Sequence, residues 1–93
     1  MTHIDVVAKT PNKKYSLYIL ALSNGKYYAG ITNDIKRRLH EHRTKKKGYC
    51  FKYLPILLVY MRIFDTRKEA RAEEVKAKNM SPKMYYLRHR FRK

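Results

Sequence analysis

The stretch YSLYILALSNGKYYAGIT, residues 15–32, decides the fold of this chain. Both of its ends are rich in tyrosine and in aliphatic or β-branched side chains, which favour β-strands. The segment SNGK between them, residues 23–26, contains the Asn-Gly pair that is typical of a tight hairpin turn. The stretch therefore predicts two antiparallel strands joined by a short turn.

A helix and a third strand are predicted after the hairpin. Thr32, Asn33 and Asp34 can each cap the N-terminus of a helix that runs to about Arg43. The run PILLVYMRIF, residues 55–64, is almost continuously apolar and predicts a buried central strand. These elements extend the hairpin to the order β-β-α-β.

Two further helices are predicted near the C-terminus. Thr66 and Glu69 form the T-x-x-E pattern of a capping box, so a second helix begins there and runs to about Asn79. Ser81 followed by Pro82 is a second start signal and predicts a short last helix. The complete order is β-β-α-β-α-α, without internal repeats, and it indicates an α+β fold.

The length and composition of the chain indicate one small domain. With 93 residues there is too little sequence for a second hydrophobic core. Residues 1–14 are mostly polar, and we expect a loosely ordered N-terminal arm there. Residues 15–93 are expected to form the single domain, which ends in a basic C-terminal helix.

The charge of the chain is strongly unbalanced. It contains 23 Lys and Arg against 7 Asp and Glu, which gives a net charge of +16. Such an excess predicts a polyanionic partner, bound with an affinity that falls steeply as salt rises. An anionic membrane surface is the competing interpretation, but no convincing amphipathic helix with bulky apolar residues opposite its lysines is evident in the sequence.

Cysteine content and hydropathy indicate the expected compartment. Cys50 is the one cysteine, so neither an internal disulfide nor a cysteine-based zinc site is possible. The first ten residues lack the apolar core of a signal peptide, and the longest apolar run is too short to span a bilayer. We expect a soluble, cytoplasmic protein that associates with nucleic acid.

Three kinds of side chain could carry phosphodiester chemistry. Arg38 and His42 lie four residues apart and project from one helix face, a spacing that by itself favours a solvated basic face. Glu74 falls on a stripe with Ala70 and Ala77 at helical spacing. A carboxylate in that position can be a ligand for a divalent cation, but it can also be an ion pair with Lys78 or an arginine.

The tyrosines of the hairpin are open to two interpretations. Tyr18, Tyr27 and Tyr28 can be ordinary strand residues that pack on the sheet. Strand alternation places Tyr27 and Tyr28 on opposite faces, so one can serve the core while the other lines a surface. A tyrosine acts as a general base only if its pKa, ordinarily near 10, is lowered or if nearby cations help its proton to leave.

The order and spacing of these residues resemble the GIY-YIG nuclease family. SLYIL corresponds to the first motif, with Tyr18 as its tyrosine, and YAG corresponds to the second, from Tyr28 to Gly30. The resemblance covers about residues 15–82 and is greatest to small, single-domain bacterial members. It implies a small three-stranded antiparallel sheet flanked by helices, in which Gly30 allows a close approach of the backbone.

The implied activity is metal-dependent cleavage of DNA. The family's arginine and histidine positions fall on Arg38 and His42. Arg38 would bind the scissile phosphate, and His42 would assist proton movement. Tyr28 or Tyr18 would act as general base or orient the water. FDTRKEARAEEVKAK resembles the helix that carries the family's metal-binding glutamate, so Glu74 would hold one Mg²⁺ or Mn²⁺ near the leaving oxygen.

The sequence departs from the family pattern at several positions. Ser16 and Leu17 replace the glycine and isoleucine of the first motif, although neither side chain is a reacting group. Lys76 stands where the family often has a further acid after the metal ligand. The loop RTKKKGYCFKYL, residues 43–54, lacks the family's usual glycine-rich and arginine-rich composition, so its contacts with substrate are expected to differ.

A dense basic segment is the expected nucleic-acid surface. Between residues 36 and 52 there are eight Lys or Arg and one Glu. Tyr49, Phe51 and Tyr53 could stack on bases or could be ordinary core aromatics. The residues expected to bind nucleic acid are Lys36, Arg37, Arg43, Lys45, Lys46, Lys47 and Lys52.

Two other classes of function stay open at this stage. A catalytically inactive nucleic-acid-binding module could keep the same fold and use the basic helix, loop and tail. A basic RNA-associated protein could carry the motifs by coincidence. The sequence does not distinguish ordinary duplex DNA from branched or damaged forms of the kind processed in repair or recombination, and it leaves the oligomeric state open.

Overall fold

The elements of the fold follow the predicted order β-β-α-β-α-α. A computed structural model describes residues 14–90, so the predicted arm over residues 1–14 lies outside the described part except for Lys14. A 3₁₀ turn, Cys50–Tyr53, lies between the first helix and the third strand. The strands are β1 (Tyr15–Ala21), β2 (Tyr27–Thr32) and β3 (Leu57–Phe64), and the helices are α1 (Ile35–Thr44), α2 (Arg67–Met80) and α3 (Pro82–His89).

The three strands form one antiparallel sheet in the order β2-β1-β3. Tyr18 of β1 lies opposite Gly30 of β2 and opposite Met61 of β3. At the hairpin turn Gly25 has φ +84°, a value that glycine adopts without strain. The predicted hairpin is therefore confirmed, and it makes β1 the central strand.

The prediction that β3 is a buried central strand is wrong. β3 pairs with β1 on one side and forms an edge of the sheet, where Leu57 is 64% exposed and Ile63 is 59% exposed. An apolar run reports that a strand is favoured, but its position in the sheet depends on which strand it pairs with. Because the short hairpin already places β2 on one side of β1, β3 takes the other side.

The sheet has a core cluster on each face, as strand alternation requires. One face presents Leu17 and Ile19 to helices α2 and α3, where Ala77 and Tyr85 pack against them. The other face presents Tyr18, Leu20 and the half-buried Tyr28 to α1 and the 3₁₀ turn. The two faces of β1 therefore belong to different environments, and Tyr18 lies on the face covered by α1.

Each helix begins at a cap that the sequence predicts. The Asp34 side chain accepts a hydrogen bond from the backbone N–H of Arg37 at 3.1 Å. Thr66 and Glu69 form a complete reciprocal capping box at the start of α2. The Ser81 hydroxyl accepts from the N–H of Met84 at the start of α3. The predicted starts are confirmed, and α1 and α2 each end one residue beyond the predicted position.

Gly30 has no space for a side chain. A Cβ atom built at this position would lie 2.5 Å from the Tyr18 hydroxyl oxygen and 2.6 Å from its ring carbon Cζ. These distances are far shorter than a carbon atom tolerates, so the tyrosine ring would have to move. Gly30 therefore allows the ring of Tyr18 to lie flat across the neighbouring strand.

Gly30→Ala is expected to destabilise the protein by about 1–3 kcal/mol, because the added methyl group overpacks the site and displaces the Tyr18 ring. The measurement is urea unfolding followed by circular dichroism. Ser16→Ala is the matched control, since it alters a side chain of the same strand face without adding an atom. Equal stability of the Gly30→Ala variant and the wild type would contradict the tight contact.

Candidate active site

The Tyr18 hydroxyl is the meeting point of strand β1 and helix α1. It lies 2.9 Å from Nε2 of His42, and Nε of Arg38 donates a hydrogen bond to it at 3.3 Å. Both partners come from one face of α1, as their spacing of four residues requires. The structure therefore brings together three of the residues predicted from the sequence.

The hydrogen-bond pattern defines the protonation of this cluster. Burial raises the pKa of Tyr18 to about 12, so the phenol keeps its proton at neutral pH. Because the Tyr18 oxygen accepts from Arg38, its own O–H can donate to Nε2 of His42. Burial, and secondarily the Arg38 charge, lower the pKa of His42. His42 is therefore neutral at neutral pH and carries its proton on Nδ1.

Glu41 orients the arginine that contacts Tyr18. Its Oε1 accepts from Nη1 of Arg38 at 2.8 Å, and its Oε2 accepts from Nη1 of Arg37 at 3.1 Å. The contact with Glu41, and secondarily that with Tyr18, raise the pKa of Arg38 above its ordinary value. Sequence reasoning missed Glu41, although a single acid three and four residues after two arginines was a usable signal.

A cleft of about 160 Å³ opens beside this cluster. Among the residues lining it are Tyr28, Arg38, Glu41, His42, Lys45 and Tyr49. Tyr18 is 1% exposed and lies behind the cleft, whereas the half-buried Tyr28 reaches its surface. The two motif tyrosines therefore differ in access: Tyr28 can meet a molecule in the cleft, and Tyr18 supports the wall.

Aromatic rings continue from the cluster along one side of the cleft. The Tyr28 ring meets His42 edge-on, with centroids 5.2 Å apart. The Tyr28 ring also lies 6.2 Å from the nearly parallel ring of Tyr49, and Tyr49 in turn contacts Tyr53 at 5.1 Å. The segment after α1 thus returns to the cleft and adds an aromatic wall to it.

Glu74 is buried on the predicted stripe of α2, between Ala70 and Ala77. Its Oε1 accepts from Nη1 of Arg71 at 2.7 Å, and its Oε2 lies 3.2 Å from Nζ of Lys78. The ion-pair interpretation of this residue, left open by the sequence, therefore describes its contacts. Within residues 14–90, no hydrogen bond, ion pair or ring contact joins Glu74 to the residues around Tyr18.

The position of α2 explains this separation. Ala77 of the same stripe packs against Leu17 and Ile19, which point away from the sheet face that carries Tyr18. Over the part of the chain that the structure describes, no group of three or more His, Cys, Asp or Glu side chains is arranged to hold a metal ion. A metal at Glu74 would therefore have one protein carboxylate as its ligand.

The predicted nucleic-acid-binding residues lie on the surface of α1 and the loop after it. All seven of them are exposed. Lys45 lies at the end of α1 and lines the cleft itself. Arg37 does not line it and instead contacts Asp34 and Glu41. The basic surface is thus continuous with the cleft through Lys45.

Comparison with protein families identifies the class of protein, because the GIY-YIG catalytic domain matches residues 14–86. The match indicates a nuclease-type family. The chain belongs to this family. Its members are typically endonucleases, act on DNA and generally use a divalent metal ion.

Similar proteins occur in several bacteria. A UPF0213 protein of Streptococcus agalactiae is 40% identical over 75 residues, covering 77% of this chain and 85% of the relative. A UPF0213 protein of Limosilactobacillus reuteri is 31% identical over 85 residues, covering 88% of this chain and 78% of the relative. The solution NMR structure of a UPF0213 protein from Bacillus halodurans superposes with a TM-score of 0.51 at 29% identity, covering 80% of each chain.

Among the described residues of this chain, no helix is long and apolar enough to cross a membrane.

The low pKa of His42 generates a prediction for NMR. The ring of His42 should titrate below 6.5, the ordinary value for histidine. Arg38→Ala should raise its pKa and Glu41→Gln should lower it, because Arg38 disfavours the charged ring and Glu41 favours it. His40, which is exposed on the same helix, is the internal control. A His42 pKa at or above 6.5 would contradict the neutral ring.

The same group makes stability depend on pH. Unfolded His42 binds a proton near pH 6.5, whereas folded His42 resists protonation until a lower pH. Its contribution to the unfolding free energy is therefore complete above pH 6.5 and is lost as the pH falls through the interval below that value. His42→Gln should flatten this part of the stability profile, measured by urea unfolding from pH 7.5 down to about pH 4.5.

Proposed function

We propose that this chain is an endonuclease that hydrolyses phosphodiester bonds in DNA with the help of one divalent metal ion. The observation that supports this most directly is the buried Tyr18 hydroxyl, which Arg38 and His42 share beside a basic cleft. A tyrosine hydroxyl can donate one hydrogen bond and accept another, so it can hold two side chains at once. Here the tyrosine orients two functional side chains toward a cleft lined by a second tyrosine and a lysine.

Arg38 is proposed to bind the scissile phosphate. Of the five N–H groups of a guanidinium, one donates to Tyr18 and one to Glu41. The remaining donors can meet two phosphate oxygens in the paired geometry that arginine favours. Glu41 and Tyr18 hold the guanidinium in place, so little side-chain freedom is lost when the phosphate binds.

Tyr28 is proposed to orient the attacking water and to take its proton. It reaches the cleft, whereas Tyr18 is buried and its raised pKa keeps it protonated. Lys45 and Arg38 line the same cleft, where their charges can meet the negative charge of the scissile phosphate. The water oxygen forms a bond to phosphorus as Tyr28 takes its proton, the bond to the leaving oxygen breaks, and that oxygen takes up a proton from solvent water.

His42 is proposed to assist this proton movement. It lies edge-on beside Tyr28, lines the cleft and is neutral at neutral pH, so its Nδ1–H can donate a hydrogen bond to negative charge that develops there. Its Nε2 is bound to Tyr18, which fixes the ring and leaves Nδ1 as the proton-bearing atom. The Tyr18 hydroxyl therefore positions the histidine and takes no part in breaking the phosphodiester.

Glu74 is the proposed ligand for Mg²⁺ or Mn²⁺. Both of its oxygens are held by cations, but Arg71 and Lys78 have side chains that are 55% and 50% exposed and can swing aside. A single carboxylate suits Mg²⁺, which commonly keeps several waters and takes its other ligands from a phosphate. When bound, such an ion would stabilise the negative charge on the leaving oxygen.

A second candidate function is a catalytically inactive DNA-binding module. The contacts of Glu74 favour it, because its carboxylate is satisfied by two cations of its own helix. The exposed lysines of α1 and the loop would bind phosphates whether or not cleavage follows.

Nicking of supercoiled plasmid separates the two functions. The wild type should nick DNA in the presence of Mg²⁺ or Mn²⁺ and lose this activity with EDTA. Arg38→Ala, Glu74→Gln and Tyr28→Phe should each lower the rate by on the order of 10²-fold, since each removes a group proposed to act in the transition state. Arg67→Ala is the control, because it removes an exposed arginine of α2 that does not line the cleft.

Two results would contradict the endonuclease. The first is DNA binding by the wild type without nicking under any metal condition, which would favour the binding module. The second is equal nicking by the Arg38→Ala variant and the wild type, which would show that another part of the protein or a contaminant cuts the DNA. Circular dichroism of each variant checks that the fold is kept.

The cations beside Glu74 should compete with a bound metal ion. Removing the Lys78 charge with Lys78→Gln should raise the affinity for Mn²⁺ about fivefold, since a half-exposed pair of this kind is worth about 1 kcal/mol. The measurement is titration of free Mn²⁺ by electron paramagnetic resonance, without DNA. Lys76→Gln is the control, because Lys76 pairs with Glu73 instead. Unchanged affinity in both variants would contradict metal binding at Glu74.

A further inference from the structure

We propose that Tyr49 is a nucleobase-stacking residue, and that the substrate is therefore DNA in which a base beside the cleft is unpaired and unstacked. The inference rests on the proposed function, because it names the form of DNA that the cleft accepts. It depends on the position of Tyr49, on its exposure and on the charges around it.

The loop after α1 brings Tyr49 back to the cleft. The backbone N–H of Lys45 donates to Glu41 at the end of the helix, and the N–H of Gly48 then donates to the Lys45 carbonyl at 2.9 Å. This turn reverses the chain, so the next residue lies against Tyr28 at 6.2 Å with nearly parallel rings. Cys50, which follows, is buried in the core and holds the segment there.

Tyr49 is the most exposed of the aromatic rings at the cleft. It is 48% exposed, whereas Tyr28, Phe51 and Tyr53 are half-buried. Tyr28 and Tyr53 both contact the ring of Tyr49, with centroids 6.2 and 5.1 Å away. A large aromatic ring that is held on the protein side and open to water on the other is suited to stack on a flat ligand. Of the three aromatic residues that the sequence left open between base-stacking and core roles, Tyr49 is therefore the one assigned to stacking.

The charges around Tyr49 favour a nucleotide over other flat ligands. Lys45 and Arg38 line the same cleft, and Lys46, Lys47 and Lys52 are exposed on the same loop. Proteins that bind single strands without base-specific hydrogen bonds combine an aromatic ring for stacking with positive charges along the path of the phosphates. Tyr28 lies between Tyr49 and His42, so a base on Tyr49 would place the adjoining phosphate toward Arg38.

The geometry excludes a base that is still stacked in a regular duplex. A base within a duplex has its faces covered by its neighbours, so Tyr49 can reach one only where the strand is single or locally opened. The preferred DNA is therefore single-stranded or contains an unpaired nucleotide at the cleft.

The test compares two strands of equal charge. Wild-type protein in EDTA is titrated against an oligothymidylate of about 12 nucleotides and against a chain of abasic sites of the same length, followed by fluorescence anisotropy. Both strands carry the same phosphates, so the lysines contribute equally to both. The wild type should prefer the strand with bases by about tenfold or more, because stacking is the interaction that the abasic chain lacks.

Substitutions at Tyr49 locate the effect. Tyr49→Ala and Tyr49→Leu should bind the two strands nearly equally, and Tyr49→Phe should keep the preference of the wild type. Leucine keeps apolar contact with Tyr28 and Tyr53 but has no aromatic face, so it separates stacking from support of the loop. Tyr86→Ala is the matched control, since Tyr86 stacks on Tyr27 on the opposite face of the sheet.

The outcomes distinguish this inference from the endonuclease. Equal binding of both strands by the wild type, or a preference that persists in Tyr49→Ala, would overturn the stacking role whether or not plasmid is nicked. Loss of the preference in Tyr49→Ala and Tyr49→Leu, with Tyr49→Phe and Tyr86→Ala unchanged, would support it even if the protein never cuts DNA.

Discussion

The hydroxyl of Tyr18 joins the central strand to helix α1, because it meets Nε2 of His42 at 2.9 Å and Nε of Arg38 at 3.3 Å. A phenol in this position must be satisfied, since a buried hydroxyl without a partner costs about 1–3 kcal/mol. Gly30 leaves the space in which the ring lies. The orientation of both α1 side chains, and through them the wall of the cleft, therefore depends on one buried tyrosine.

Tyr18 and Tyr28 lie on the same sheet face but differ in their access to solvent. Tyr18 is buried and has two hydrogen-bond partners, whereas Tyr28 reaches the cleft and lies beside His42. Burial raises the pKa of Tyr18, so this hydroxyl keeps its proton at neutral pH. A pair of identical side chains thus acquires different chemistry from its surroundings.

The charge excess of the chain is organised in two ways. On α1 and the following loop the lysines are exposed and form a surface that a polyanion can follow. On α2, Arg71 and Lys78 instead satisfy the carboxylate of Glu74. Any metal bound at Glu74 has to compete with these two cations. Metal binding is therefore the part of the proposed mechanism that most depends on movement of side chains.

The sequence by itself determined the hairpin, the caps of all three helices and the stripe of Ala70, Glu74 and Ala77, because each is a local pattern of turn chemistry or helical period. The order and spacing of Tyr18 and Arg38 also resemble those of the GIY-YIG nuclease family. Only the tertiary structure decided that β3 lies at an edge, that Tyr18 rather than Tyr28 is enclosed, and that Tyr49 returns to the cleft. These features depend on contacts between residues far apart in the chain, and such contacts follow from which faces of the elements meet.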